Sequence, residues 1–126
     1  MKKISDCTIL VVEDEVLLRD AIVYALEKTG FKVLFADNGV IALDIVKANH
    51  IDLILSDIRM PGGDGITLLD TVHAINPDIP IVILMTGQSD STESECLKKG
   101  AKKVLYKPFN RKVVISAITE ALGIVE

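Results

Sequence analysis

The sequence predicts an α/β fold, a doubly wound parallel sheet of five strands with helices on both faces. Five short apolar runs rich in Val, Ile and Leu recur along the 126 residues, with little polar alternation. Strands read this way when both of their faces are buried, as in a parallel sheet covered by helices. Helical spacing of apolar residues fills the intervals, giving five β–α repeats whose right-handed crossovers build such a sheet. Four of the runs end directly on polar clusters, and ligands of open α/β sheets bind beyond the carboxyl ends of the strands, where strand order reverses.

The first run, Thr8–Val12, ends at Glu13-Asp14-Glu15. Leu18, Ala21, Ile22, Ala25 and Leu26 then follow the i, i+3, i+4, i+7, i+8 rule of an amphipathic helix, and Gly30 supplies its stop. The second run, Lys32–Ala36, precedes helix-compatible, mostly apolar residues 40–48. The third, residues 52–56, leads into Asp57 and a Met-Pro-Gly-Gly turn, and a helix over 66–75 ends before Asn76-Pro77. The fourth, residues 80–85, ends at Thr86-Gly87. A helix over 91–99 follows whose apolar content is little more than Cys96 and Leu97, so it should be the most weakly packed element. The fifth run, Lys103–Tyr106, ends at Lys107-Pro108-Phe109. Asn110 then caps a last helix carrying Val114, Ala117, Ile118, Ala121 and Leu122.

This length fits one domain, residues 1–126, with no linker, repeat or low-complexity tract. Hydrophobic residues make up 49%, enough for a sizeable core. A net charge of −4 argues against a nucleic-acid surface, which needs a basic face, and Lys98-Lys99 with Lys102-Lys103 reads as a solvated rim. No apolar stretch follows Met1-Lys2-Lys3 as a signal peptide requires, and no run approaches the roughly 18–20 residues that span a bilayer. Cys7 and Cys96 lack metal-ligand spacing, and reduced thiols in a cytoplasmic protein are the simpler reading. His50 and His73 stand away from every strand's carboxyl end and read as surface or turn residues; Met60 reads as packing.

The strand-end clusters bring Glu13, Asp14 and Asp57 into one pocket. Like charges at such range need compensation, and a hard divalent cation with oxygen ligands, Mg²⁺ first, is the natural solution. Asp57 follows a buried run and precedes a turn, so its carboxylate is held rigidly and open to solvent, as a nucleophile requires. The metal neutralises the approach of an anionic phosphoryl group. Lys107, a compact point charge, pairs with a carboxylate before reaction and with a phosphoryl oxygen after it, and the Thr86 hydroxyl donates to the same group. Gly87 leaves the mouth open. Metal-assisted phosphorylation of an aspartate suits this set above other chemistries. Arg59 and Gln88 flank the pocket and read more simply as surface residues than as groups tuning water access.

With these residues in this order, the chain resembles a bacterial two-component response-regulator receiver domain over essentially its whole length. The acidic pair is Glu13-Asp14, the acceptor segment runs from Asp57 through Met60-Pro61-Gly62-Gly63-Asp64-Gly65, the hydroxyl is Thr86, and the last motif is Lys107-Pro108-Phe109. The resemblance implies a flavodoxin-like (βα)5 fold with strand order 2-1-3-4-5. It implies that Asp57 accepts a phosphoryl group from a histidine-kinase phosphohistidine, directly or from a histidine phosphotransfer protein, with small acyl phosphates as further donors. It implies that Asp14, Asp57 and the backbone carbonyl of Arg59 bind magnesium directly, with Glu13 acting through metal-bound water. A cis peptide between Lys107 and Pro108 is part of the same pattern. So are an output surface on the fourth helix, fifth strand and fifth helix, homodimerisation on phosphorylation, and occurrence alone or within a larger regulator or hybrid kinase. One position departs from the pattern: many receivers carry Tyr or Phe three residues before the motif lysine, where this chain has Val104, and Tyr106 falls on the opposite face from Lys107 by strand alternation.

Three other readings fit less well. Aspartate-nucleophile phosphohydrolases need a second Asp two residues after the nucleophile, where this chain has Arg59, so turnover of external substrates is not expected. A nucleotide- or flavin-binding module would place a glycine-rich turn after the first strand, not three acidic residues. A receiver reduced to an interaction domain would have no reason to keep the full pocket set.

Overall fold

A computed structural model describes residues 3–60, 64–76, 80–87, 92–107 and 110–124. After a 3-10 turn at Ile4–Asp6, strands and helices alternate: β1 (Thr8–Val12), α1 (Val16–Thr29), β2 (Lys32–Ala36), α2 (Gly39–Ala48), β3 (Leu53–Asp57), α3 (Gly65–Ile75), β4 (Ile81–Thr86), α4 (Thr92–Lys98), β5 (Lys103–Tyr106) and α5 (Arg111–Leu122). All pairings are parallel and the order is β2-β1-β3-β4-β5, as expected. The order reverses between β1 and β3, which puts the switch point between the loops carrying Glu13 and Asp57.

Period-two alternation divides the strand side chains between two cores. Ile9, Val11, Leu53, Leu55, Ile83, Met85 and Leu105 meet Ile22 and Leu26 of α1 and Val114, Ala117, Ile118 and Leu122 of α5. On the other face Leu10, Val12, Ile54, Val82, Leu84 and Val104 meet Ala42 of α2, Leu68, Leu69 and Val72 of α3, and Cys96 of α4. The expectation of strands buried on both faces holds for β1, β3 and β4. It fails for the edge strand β2, where Lys32 and Phe35 are exposed, because α1 and α2 cover it only in part.

Local signals set the helix ends. Asn38, Asp64 and Asn110 accept from the backbone N–H groups of Ile41, Thr67 and Val113 and start α2, α3 and α5. Gly30 ends α1 in the left-handed region at φ 117°, open to glycine without strain. Two strands lie one residue later than expected. Asp57 pairs with Met85 and belongs to β3, while Asp52 stands just before the strand, its backbone N–H donating to Thr8 O at 3.0 Å and its carboxylate accepting from Thr8 N and lying 3.1 Å from His50 Nε2. Thr86 likewise pairs with Tyr106 and belongs to β4. The α4 helix has the thin packing expected: among its described side chains Cys96 is buried and Leu97 is exposed. Neither cysteine forms a disulfide among the described residues, and both are buried, in opposite cores. Met60 packs in the α2–α4 core, and His73 lies against Gly100.

Gly65 is the tightest of these positions. A Cβ there would collide with the Asp57 backbone carbonyl, which also accepts from the buried Ser56 hydroxyl at 2.9 Å. Gly87, beside Thr86, has open space instead. Gly65→Ala should therefore destabilise the protein by about 1–3 kcal/mol, as overpacking against rigid backbone does. Gly87→Ala should leave stability within about 1 kcal/mol of wild type. Urea unfolding midpoints of the two variants check both values.

Candidate functional site

Backbone bonds that run past the strand ends carry the site residues. Glu13 N donates to Ala36 O at 3.0 Å, Ile58 N to Met85 O at 2.8 Å, and Lys107 N to Thr86 O at 2.8 Å. These bonds hold residues 13, 57, 86 and 107 at one edge of the sheet. Alternation then directs Glu13, Asp57 and Lys107 to the α1/α5 side, in line with Val11, Leu55 and Leu105. Thr86 and Tyr106 fall in line with Leu84 and Val104 on the other side.

Lys107 Nζ donates to Glu13 Oε1 at 2.9 Å and to Asp57 Oδ2 at 3.0 Å. Glu13 Oε2 accepts from the Glu15 backbone N–H at 3.1 Å, so both of its oxygens are engaged. Glu13 is fully buried and Asp14 faces solvent, while Asp57, expected to be open to solvent, is only 8% exposed because Lys107 lies against its carboxylate. The carboxylates of Glu13, Asp14 and Asp57 each offer an oxygen, and these oxygens lie within 4.8 Å of one another. An all-oxygen set of this kind, open on the Asp14 side, fits a hard divalent cation.

The electrostatics of the pocket are unequal. Burial pushes the Glu13 carboxyl above its ordinary value; the Lys107 and Glu15 hydrogen bonds oppose that rise, and the Asp57 charge adds to it. Burial pulls Lys107 down, but hydrogen bonds and charge attraction from Glu13 and Asp57 outweigh it and hold the ammonium above its ordinary value. Two acceptors serve one lysine, whereas Glu13 shares its one ammonium with Asp57. The lysine is stabilised in its charged form, and the buried glutamate is not.

The acidic pair, Asp57 and Lys107 thus come together as expected. Thr86 stands at the same edge, 6% exposed and joined to Lys107 through the backbone. Arg59 is exposed in the loop after β3. Tyr106 lies on the face opposite Lys107, as alternation predicts, and its hydroxyl donates to Glu93 of α4. Pro108, Phe109, Gln88 and the Pro61-Gly62-Gly63 turn lie outside the described residues, the expected Lys107–Pro108 cis peptide among them. The direct Lys107–Glu13 pairing was not anticipated: sequence reasoning gave the lysine a carboxylate partner without identifying Glu13. Arg19, beside Leu18 on an amphipathic helix, reads from sequence as a solvated residue, but its Nη1 lies 3.5 Å from Glu13 O. No local signal marks its folding back toward the acidic loop.

A carboxyl group whose folded pKa is raised favours the protonated folded state, so stability falls as pH rises from about 4.5 through the folded value. Above that window, ionised Glu13 opposes folding. Glu13→Gln in metal-free buffer should therefore gain stability relative to wild type as pH rises from 4 to 7. Thermal melts of both proteins with a chelator across that range test the sign.

This fold and site have clear counterparts among known proteins. Residues 9–119 match the family described as the response regulator receiver domain. The chain is 38% identical over 115 residues to the transcriptional regulatory protein ZraR of Klebsiella oxytoca, covering 91% of this chain and 26% of that protein. It is 31% identical over 114 residues to the sensor histidine kinase RcsC of Escherichia coli K12, covering 90% of this chain and 12% of that protein. The chain thus spans only a minor part of the length of these relatives. Among solved structures, the Francisella response regulator 1452 receiver domain superposes with a TM-score of 0.87 at 28% identity, covering 93% of this chain and 97% of that one. A response regulator receiver domain protein from Clostridium thermocellum does so at 0.86 and 32%, covering 93% and 94%. The chain belongs to the response regulator receiver domain family of two-component signalling.

Proposed function

We propose that residues 1–126 form one receiver domain in which Asp57 accepts a phosphoryl group from the phosphohistidine of a sensor kinase or a histidine phosphotransfer protein. The observation that carries this reading is the Lys107 ammonium held against Asp57 beside two further carboxylates at the sheet's switch point. Asp14, Asp57 and the Arg59 backbone carbonyl would hold Mg²⁺, and Glu13, with both oxygens engaged, would act through water. The cation supplies the positive charge that lets an anionic phosphoryl group approach an acidic pocket.

The residues of the chain divide the remaining work. Asp57, fixed by its place in β3, presents an oxygen to phosphorus. Lys107 shifts its pairing from the Asp57 carboxylate to a phosphoryl oxygen, and the Thr86 hydroxyl donates to another. Groups that bind the charged state better than the uncharged one are what move the equilibrium. Thr86 leads by the chain into α4, whose thin packing supports movement of the α4-β5-α5 face as the output, through a partner protein, an effector domain or a second copy. No turnover of external substrates is part of this reading. Matches to a transcriptional regulator and to a sensor kinase support occurrence within either kind of protein. Among the described residues no helix is long and apolar enough to cross a membrane, and a cytoplasmic location is proposed with the rest.

Intact-mass spectrometry after incubation with acetyl phosphate tests the acceptor. Wild type should gain one phosphoryl group in the presence of Mg²⁺ and none with a chelator, and Asp57→Asn should gain none. Equal labelling of Asp57→Asn would overturn the assignment.

A further inference from the structure

We infer that Arg19, clamped on Phe35, is a positioning residue for the cation site: it fixes the peptide unit that joins the carboxylates of Glu13 and Asp14. The loop between β1 and α1 is three residues long and has few restraints. Glu13 N bonds back to β2, Glu15 N to the Glu13 side chain, and Arg19 N to Glu15 O at 2.9 Å. The Arg19 side chain returns over this loop from the first turn of α1, and its Nη1 reaches Glu13 O at 3.5 Å. Its guanidinium lies over the Phe35 ring at 5.0 Å, a cation–π contact with the exposed edge strand.

The arrangement is unfavourable for the arginine by itself. The side chain is only 14% exposed, and its buried Nε makes no hydrogen bond among the described residues, with the Asp20 carboxylate 3.9 Å away. A buried donor left in this state calls for an explanation outside its own satisfaction. The contact with Glu13 O provides one. The carbonyl of Glu13 and the N–H of Asp14 share one rigid plane, so holding that oxygen orients the plane from which the Asp14 Cα departs and with it the position of the Asp14 side chain. Charge draws the guanidinium toward the carboxylates but does not help the cation, since a guanidinium near the pocket repels a metal ion. The geometry of the stack does, since groups behind a metal ligand commonly set its affinity by orienting it. Phe35 thereby gains a role that its half-exposed place on an edge strand does not otherwise show.

This inference rests on the cation site proposed above, and the test separates the two. Mg²⁺ affinity is measured by calorimetry on wild type, Arg19→Lys, Phe35→Leu and the double variant, all of equal net charge. Ile118→Val serves as a remote core variant that lowers stability alone. Both single variants should bind Mg²⁺ about 10-fold more weakly. The double variant should be no weaker than the poorer single one, because both changes break one clamp. The metal-free amide resonances of Glu13 and Asp14 should shift in each. Affinities within twofold of wild type, additive losses, or an equal loss in Ile118→Val would overturn the inference with the cation site intact. No Mg²⁺ binding by wild type would overturn both.

Discussion

One ammonium group organises this molecule's working edge. Lys107 Nζ bonds to Glu13 and Asp57, residues 94 and 50 positions away in the chain. The order β2-β1-β3-β4-β5 brings all three together, because it sets β1 beside β3 and places β5 next to β4. The fold earns its place in the function through this topology, and the two cores of apolar side chains hold the strands in the required register. A buried pair of opposite charges is by itself weak evidence of stabilisation, since desolvation consumes most of the attraction. Here one lysine pairs with two of three clustered carboxylates, and the excess negative charge is a property that suits cation binding better than stability.

The same tension runs outward from the pocket. The interior of β3 is fully buried, and exchanging Leu53, Ile54 or Leu55 for alanine would remove about 2–5 kcal/mol each. The polar rim departs from such optimal packing: a glutamate is fully buried, an arginine is folded under with an Nε that makes no hydrogen bond among the described residues, and a seven-residue helix rests on little more than Cys96 and a tyrosine–glutamate bond. Departures from local consistency that collect around one site mark it as the place where function outweighs stability. The Tyr106–Glu93 bond also answers the sequence's departure at Val104. The aromatic ring of β5 is tied to α4 from a different position, on the face away from the lysine.

Much of this was legible in the sequence because its causes are local. Unalternating Val, Ile and Leu runs marked the central strands, Asn110 and Gly30 marked helix ends by capping chemistry, and four polar clusters at run ends marked the pocket. What remained hidden was nonlocal. An apolar run does not reveal whether its strand is central or at an edge, so the exposure of Phe35 was out of reach. Strand ends shifted by one residue because the ladder partners Met85 and Tyr106, not the apolar runs, decide where pairing stops. The partner of Lys107 nearest in space is almost the whole chain away in sequence, and Arg19 differs from a surface arginine only in the turn it takes over the loop.

The most direct measurement is the thermal shift that Mg²⁺ produces in wild type and in Lys107→Met. If Lys107 is the pocket's internal counter-charge, the metal-free variant melts below wild type, because Glu13 and Asp57 lose their shared donor. Saturating Mg²⁺ then raises its midpoint by more than it raises that of wild type, since removing a nearby positive charge tightens cation binding and a ligand stabilises more the tighter it binds the folded state. Equal metal-free midpoints with equal shifts would contradict that role for Lys107, and with it the reading of the pocket as an acidic site balanced from within and completed from without.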